Sequence, residues 1–272
     1  MATTVTGIYE YPLKSTQGNR LKRAEIGLAG LVNDRKLAVI DNGNKIITGR
    51  EFPEMVRISS EIRNGTLLLR APELEDITIE LNSCHTYVTA ILFGKKVVGT
   101  VLKSDASQWI SSALNGNFKL IYLVDDSGPL KGNGSETRDF STKYVDSSPV
   151  HLINLKTLAY LNSKLRDKVR PENFRPNIVL YGDEPFEEDY WTEININGCT
   201  LKVQGLTERC VFTTINPKTA LKNSDIEPLA TLARIRRSNN QAITFGIDLL
   251  PVSEGSIKIG DKAVIRSTIE NG

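Results

Sequence analysis

Cysteine and histidine are scarce in this chain of 272 residues, and their scarcity excludes several kinds of site. The three cysteines, Cys84, Cys199 and Cys210, form no Cys-x-x-Cys pair, and their odd number does not indicate a disulfide framework. The two histidines, His85 and His151, are too few for a histidine-rich metal site. The sequence therefore predicts neither a zinc ribbon nor a disulfide scaffold, and a reducing cytoplasm is the expected location.

Excess charge and long apolar runs are lacking as well. The 34 lysines and arginines nearly balance 32 acidic residues, and a net charge of +2 gives no general reason to bind nucleic acid or an anionic membrane. No apolar run approaches the length of a membrane span, and the N-terminus has no signal-peptide pattern. Dinucleotide-binding and phosphate-loop motifs are also absent. We therefore expect a protein that binds neither nucleic acid nor membranes.

Short segments of alternating apolar residues, separated by turns, predict a mainly β (α+β) protein with a few short helices. Asn64-Gly65 and Asn197-Gly198 are two-residue hairpin signals, which favour an antiparallel barrel or sandwich. Helices are predicted over 105–114, after a cap at Asn154, and over 227–235. A boundary between two halves is expected near residue 118, and the acidic loop 183–189 is expected to be solvated surface.

Residues 31–40 are predicted to form one strand, in which Arg35 shares a face with Leu31 and Leu37. An arginine among apolar neighbours is unusual. Either it lies on the solvated face near the start of the strand, or it reaches a buried anion.

Arg209 stands directly before Cys210, and this pair is the strongest chemical signal in the chain. A neighbouring cation stabilises a thiolate, so Cys210 is a candidate nucleophile or metal ligand. The alternative is a buried structural cysteine, since free cysteine is among the most buried residue types. Cys199, beside the turn at Asn197, is expected to be structural.

Other candidates are cations and polar donors placed near strand ends: Lys14, Arg35, Arg175, Arg209, Ser147, Ser148, Asn177 and Thr213. No serine–histidine–carboxylate set accompanies them. One cysteine with cations and hydroxyl groups suits a soft metal or an anionic cofactor better than hydrolysis.

Six segments occur in an order that extends over nearly the whole chain: Tyr11-Pro12-Leu13-Lys14-Ser15, Gly30-Leu31-Val32-Asn33-Asp34-Arg35, Thr48-Gly49-Arg50-Glu51-Phe52-Pro53, Asp146-Ser147-Ser148-Pro149-Val150-His151, Phe174-Arg175-Pro176-Asn177 and Arg209-Cys210-Val211-Phe212-Thr213-Thr214. Together they resemble the MOSC family, named for the C-terminal domain of molybdenum cofactor sulfurase. The resemblance is greatest to the branch of the mitochondrial amidoxime-reducing component and its bacterial relatives. One departure is Ala220, where the family usually has glycine after an Asn-Pro-x-Thr turn.

The resemblance implies two β-barrel-like domains, a MOSC N-terminal β-barrel domain over 1–118 and a MOSC domain over 119–272, with the molybdenum cofactor (molybdopterin) held between them. It implies that Cys210 is the molybdenum ligand. It also implies that the phosphate and pterin of the cofactor are held by Lys14, Arg35, Arg175 and Arg209. The polar edge of the cofactor would be hydrogen-bonded by Ser147, Ser148 and Asn177. Thr213 is a further candidate donor from the same segment as Cys210.

The activity implied by the resemblance is reduction of N-hydroxylated compounds such as amidoximes, hydroxylamines and N-hydroxylated bases. The alternatives are a non-redox cofactor-binding protein, a sulfur carrier that uses a Cys210 persulfide, or a structural protein without a cofactor. A carrier would need the cysteine but not Lys14 and Arg35, so the cations favour the enzyme.

Electrons are expected to come from another protein. Some bacterial relatives carry a C-terminal plant-type ferredoxin domain, which needs four cysteines. No cysteine follows Cys210, and no nicotinamide or flavin fingerprint occurs. We therefore expect a separate reductase or ferredoxin-type donor, unless the chain is part of a longer protein, and no direct use of NADH or NADPH.

Overall fold

The computed structural model describes residues 3–83, 86–123, 130–131, 140–141, 143–236 and 242–268. In the first half the strands are β1 Thr4–Glu10, β2 Asn19–Leu21, β3 Arg23–Gly27, β4 Gly30–Leu31, β5 Leu37–Ile40, β6 Ser59–Arg63, β7 Thr66–Arg70, β8 Ile77–Glu80, β9 Thr86–Leu92, β10 Lys95–Val101 and β11 Lys119–Tyr122. The later strands are β12 Leu130–Lys131, β13 Phe140–Ser141, β14 Val150–Asn154, β15 Ile178–Tyr181, β16 Trp191–Ile196, β17 Cys199–Glu208, β18 Thr244–Pro251, β19 Gly255–Lys258 and β20 Ala263–Thr268. The α-helices are α1 Ser104–Ala113, α2 Leu155–Lys164 and α3 Leu229–Arg236, and short 3-10 turns cover Pro53–Arg57, Leu81–Ser83, Pro171–Asn173, Glu187–Tyr190 and Val211–Thr214.

The largest sheet among the described residues has eight strands in the order β2-β1-β15-β14-β18-β17-β16-β20. A four-stranded sheet has the order β5-β11-β10-β9, and smaller sheets join β19-β3-β4, β6-β7-β8 and β12-β13. Most neighbours are antiparallel, and β14 and β15 run parallel. The prediction of a mainly β protein with a few short helices is confirmed.

Strands from both sides of the predicted boundary at residue 118 share sheets. Strand β1 pairs with β15, with Thr4 opposite Tyr181, so the N-terminal strand completes the sheet of the second half. Strand β11, just after the boundary, pairs with β5 and β10 of the first half. Ile8 packs in the core of the large sheet, whereas Leu13 packs in the core around α1. The division at residue 118 stays a prediction, and the two halves are joined through their strands.

The three helices form where their sequence patterns place them. In α1, Ala106 and Ile110 are buried against the same apolar cluster, as the helical spacing predicts. The side chain of Asn154 accepts a hydrogen bond of 2.9 Å from the backbone nitrogen of Lys156, which confirms its role as the cap of α2. Helix α3 follows directly after Pro228.

The single strand predicted over 31–40 is wrong. Strand β4 ends at Leu31 and β5 begins at Leu37, and a turn separates them. Arg35 lies in this turn with a φ of +47°, a left-handed conformation that few non-glycine residues adopt. The backbone nitrogen of Arg35 donates to the carbonyl of Tyr11 at 2.8 Å, which holds the turn against the segment that follows β1.

The acidic loop 183–189 is only partly the solvated surface that its composition predicts. Glu188 is fully buried at the base of α2, where its Oε2 accepts from Thr157 Oγ1 at 2.9 Å and Asn154 Nδ2 at 3.1 Å. Burial raises the pKa of Glu188 to about 7. Cys84, His85 and nearly all of the glycine-rich stretch 125–139 lie outside the described residues.

Candidate functional site

A cavity of about 690 Å³ opens where several strands end. Lys14 follows β1, and Arg35 lies in the turn before β5. Ser147 and Ser148 precede β14, and Arg175 and Asn177 precede β15. Three further residues, Arg209, Cys210 and Thr213, follow β17. All of the residues predicted for the site line this one cavity: Lys14, Arg35, Ser147, Ser148, Arg175, Asn177, Arg209, Cys210 and Thr213.

Cys210 is half-buried, so its thiol is shielded and still accessible from the cavity. Its carbonyl accepts two bonds from Thr213, one from the backbone nitrogen at 3.1 Å and one from the hydroxyl at 2.9 Å. Thr213 therefore fixes the turn that presents Cys210. Cys199 differs, because it is fully buried and its Sγ lies 3.4 Å from the carbonyl of Ser253. Burial raises the pKa of the Cys199 thiol to about 11, which makes it a poor nucleophile or metal ligand at neutral pH.

Arg35 and Arg175 lie on the ring of Tyr11, with guanidinium carbons 4.3 Å and 4.2 Å from the ring centroid. Arg35 bonds Asp34 and Asn177 Oδ1, the latter at 3.2 Å. Arg175 donates from Nη1 to the carbonyl of Thr16, and its buried Nη2 has no partner among the described residues. Burial, and then the charge of Arg35, lower the pKa of Arg175 to about 10, so Arg175 stays cationic at neutral pH. An unpaired buried guanidinium nitrogen is costly, and an anionic ligand would satisfy it.

Lys14 is almost fully buried and bonds the carboxylate of Asp146, as well as the carbonyl of Tyr144 at 2.9 Å. Burial lowers the pKa of Lys14, although Asp146 opposes that change. Arg50 binds the second oxygen of Asp146 at 3.1 Å. Partial burial works against ionisation of Asp146, and the charges of Lys14 and Arg50 outweigh it and bring the pKa to about 2. Asp146 is therefore a carboxylate at neutral pH and holds two cations at the cavity wall.

Most of the donors of Arg209 are bonded within the protein itself. Its Nε donates to the carbonyl of Phe245 at 2.9 Å, its Nη1 to the carbonyl of Phe174 at 3.1 Å, and its Nη2 contacts His151 Nε2. Guanidinium has only donors, so His151 Nε2 must accept, and the ring proton is assigned to Nδ1, which donates to the carbonyl of Ile247 at 3.2 Å. Burial, and then the charge of Arg209, hold the pKa of His151 well below its usual value, so the ring is neutral.

The Asn177 side chain is also occupied by the protein. It is 1% exposed, its Oδ1 accepts from Arg35 and from the backbone nitrogen of His151, and its Nδ2 donates to the carbonyl of Tyr9. Ser147 is exposed and Ser148 half-buried, so both present hydroxyl groups at the cavity. The predicted residues thus divide into side chains that face the cavity and side chains that hold the others in position.

Sequence reasoning assigned no role to Tyr11, Arg50, Asp146 or His151. The sequence did contain a signal for each of the four, because all of them lie within the six segments that resemble the family. Their roles depend on partners remote in sequence, such as Arg175 for Tyr11, and spacing does not reveal those partners.

The cavity carries more positive than negative side chains. Its cations are Lys14, Arg35, Arg50, Lys95, Arg175 and Arg209, and its carboxylates are Asp146, Glu208 and Asp248. Within the described ranges, no cluster of three or more His, Cys, Asp or Glu side chains could hold a metal ion by itself. One accessible thiol beside an excess of cations fits an anionic cofactor that brings its own metal and takes one protein ligand.

Known proteins with similar sequences match nearly the whole chain. Residues 139–264 match the MOSC domain family, and residues 2–117 match the MOSC N-terminal beta barrel domain. Mitochondrial amidoxime reducing component 2 of Bos taurus is 32% identical over 275 residues, covering 95% of this chain and 82% of the bovine protein. Mitochondrial amidoxime-reducing component 1 of Homo sapiens is 31% identical over 277 residues, covering 95% of this chain and 81% of the human protein.

A solved structure, the YUAD protein from Bacillus subtilis, aligns over 97% of this chain and 94% of that one, with 12% identity and a TM-score of 0.46. That likeness is too weak to carry an argument. Across the described residues, no helix has the length and apolar character needed to cross a membrane. The cytoplasmic location stays a prediction, because the animal relatives are named as mitochondrial proteins.

Proposed function

This chain belongs to the MOSC family, and from that membership we propose that it is a molybdenum-cofactor-dependent enzyme that reduces N-hydroxylated compounds. Amidoximes, hydroxylamines and N-hydroxylated bases are the proposed substrates. The observation that carries the proposal is the half-buried Cys210 thiol in a cavity with an excess of cations. The names of the relatives, as amidoxime-reducing components, support the same reaction.

The residues that would hold the cofactor are those of the predicted set that face the cavity. Cys210 would ligate the molybdenum through its thiolate, the form that binds metals. Arg175, with its unpartnered Nη2, and Arg35 beside it would hold the phosphate, since guanidinium groups bind phosphate through parallel hydrogen bonds. Lys14 would add charge, and Ser147 and Ser148 would bond the polar edge.

Three of the residues predicted for the site are better explained as positioning residues. Asn177 holds Arg35, Thr213 holds the Cys210 turn, and Arg209 is bonded to two carbonyls and His151. Arg209 would still add its positive charge to the site, because it directly precedes Cys210.

Reduction of an amidoxime breaks the N–O bond, consumes two electrons and two protons, and releases the amidine and water. When bound, the cofactor supplies the two-electron redox chemistry. The contribution of this chain is to bind and orient the reactants and to surround them with positive charge. Electrons would come from a separate reductase or ferredoxin-type protein, the partner expected from the sequence.

The alternative is a non-redox role, either in cofactor binding or as a sulfur carrier with a persulfide on Cys210. A persulfide carrier has no need of the paired guanidinium groups at Arg35 and Arg175, so those groups favour the reductase.

The test is to make the protein in a cofactor-producing host and measure molybdenum content, absorption spectrum and turnover of benzamidoxime. Reduced viologen should support turnover, and NADH alone should not. Cys210→Ala should lose activity even where some cofactor still binds, whereas the matched variant Cys199→Ala should retain it. Full activity of Cys210→Ala would overturn the ligand assignment, and loaded protein without turnover would favour the non-redox role.

A further inference from the structure

The hairpin between β9 and β10 brings an exposed phenylalanine to the cavity. Phe93 and Gly94 form its two-residue turn, since Leu92 pairs with Lys95 across the strands. Phe93 lines the cavity that contains Cys210, and 52% of its surface is exposed. A large aromatic side chain left in solvent at the tip of a hairpin calls for an explanation.

The backbone of this turn makes phenylalanine an unfavourable choice. Phe93 has a φ of +48° and Gly94 of +79°, the positive values that a type I′ hairpin turn requires. The chain contains the same geometry twice more, at Asn64-Gly65 with +49° and +76°, and at Asn197-Gly198 with +50° and +85°. Both of those turns have asparagine first, the residue that tolerates positive φ, whereas a bulky side chain there is strained. The turn at the cavity alone departs from this pattern among these three hairpins.

Neither folding nor packing accounts for Phe93. It belongs to none of the apolar core clusters of the described residues. A side chain at Gly94 would meet no atom within 4 Å, so the space beside that residue of the turn is open. The contacts of the ring are with two cavity cations, Lys14 Nζ at 5.3 Å and Arg50 Cζ at 5.2 Å from its centroid. More than half of the residue remains accessible beside those cations.

We propose that Phe93 is a specificity-determining residue that presents its ring to aromatic N-hydroxylated substrates entering the cavity. The inference rests on the proposed reductase function and names the substrate class within it: planar aryl amidoximes and N-hydroxylated heteroaromatic bases, in preference to small aliphatic amidoximes. Strained residues persist where function requires them, and aromatic rings bind one another by offset or edge contacts.

The experiment compares the wild type with Phe93→Asn, which gives the turn the same residue pair as the other two hairpins. The substrates are benzamidoxime and acetamidoxime, with reduced viologen as donor. Loss of one aromatic contact should raise the KM for benzamidoxime about two- to tenfold and leave kcat and the KM for acetamidoxime nearly unchanged. The thermal unfolding midpoint should stay equal or rise. Phe93→Leu, which keeps an apolar side chain, should lose the same aryl preference.

The matched control is Tyr87→Thr, which removes a residue that is 73% exposed on β9 and does not line the cavity. It should leave both KM values unchanged. Equal KM changes for the two substrates, or none, in Phe93→Asn would overturn the inference. If the loaded wild type turns over neither substrate, the reductase proposal fails. In that case the binding of both amidoximes is measured by calorimetry without reductant. The Phe93 inference then requires that the wild type bind benzamidoxime more tightly than acetamidoxime and that Phe93→Asn lose this preference.

Discussion

Replacing Arg209 with lysine is expected to destabilise the protein even when no cofactor is bound. The guanidinium donates to the carbonyls of Phe245 and Phe174 and to His151 Nε2. Lysine keeps the charge, but one ammonium group cannot take the places of both Nη2, which contacts His151 Nε2 and the carbonyl of Phe245, and Nη1, which donates to the carbonyl of Phe174. At least one charge-assisted bond is then lost, which predicts about 1.5–3 kcal/mol less free energy of unfolding.

The measurement is urea unfolding of cofactor-free protein, followed by circular dichroism and by tryptophan fluorescence. Arg175→Lys is the matched control, because Arg175 makes one bond to the carbonyl of Thr16 and its Nη2 has no partner in the part of the chain that the structure describes. Its stability should fall less, while its cofactor content under limiting cofactor should fall roughly tenfold or more for one lost charge-assisted bond. If Arg209→Lys unfolds like the wild type but loads less cofactor, Arg209 binds the cofactor directly and is not a positioning residue.

Three further predictions concern buried groups and a buried glycine of β18. The pKa of Glu188 rises from 4.5 to about 7 on folding, so its contribution is complete below about pH 4.5 and is lost as the pH rises through 7. Between pH 4 and pH 8 this group should lower the free energy of unfolding by at most about 3 kcal/mol in total. Glu188→Gln should reduce that fall and the exposed Glu184→Gln should not; an equal fall in both variants would refute it. Peptide mapping after iodoacetamide at pH 8 should find Cys210 labelled and Cys199 unlabelled, and rapid labelling of both would contradict the burial argument. Gly246→Ala should lower the free energy of unfolding by about 1–3 kcal/mol in a urea titration, because φ is +73° and the new Cβ would lie 2.4 Å from a carbonyl of β14; an unchanged midpoint would refute it.

Local signals in the sequence were sufficient for much of the fold. The asparagine cap of α2, the apolar face of α1 and the Asn-Gly hairpins depend on neighbouring residues, and the structure contains all of them. The candidate site could be predicted from the sequence for a related reason. Its residues occur in short segments beside strand ends, so locating the segments also located the cavity wall.

The errors arise where a distant partner decides the conformation. Arg35 follows the alternating pattern of a strand, but contacts with Tyr11 and Asn177 fix it in a left-handed turn. Glu188 has the composition of a solvated loop, yet the start of α2 encloses it. The residues next to Arg35 and Glu188 in the sequence do not predict such contacts.

The pairing of β1 with β15 has a consequence for the order of folding. This pairing brings the segment of Lys14 next to that of Arg175, and the chain between them is long. Closing so long a loop early in folding costs entropy before it gains contacts, which makes such pairings slow. Cys210 lies still later in the chain and follows β17, whose neighbour β18 begins only at Thr244. During synthesis the cavity therefore remains incomplete until most of the chain has left the ribosome, and cofactor insertion must wait for a nearly finished protein.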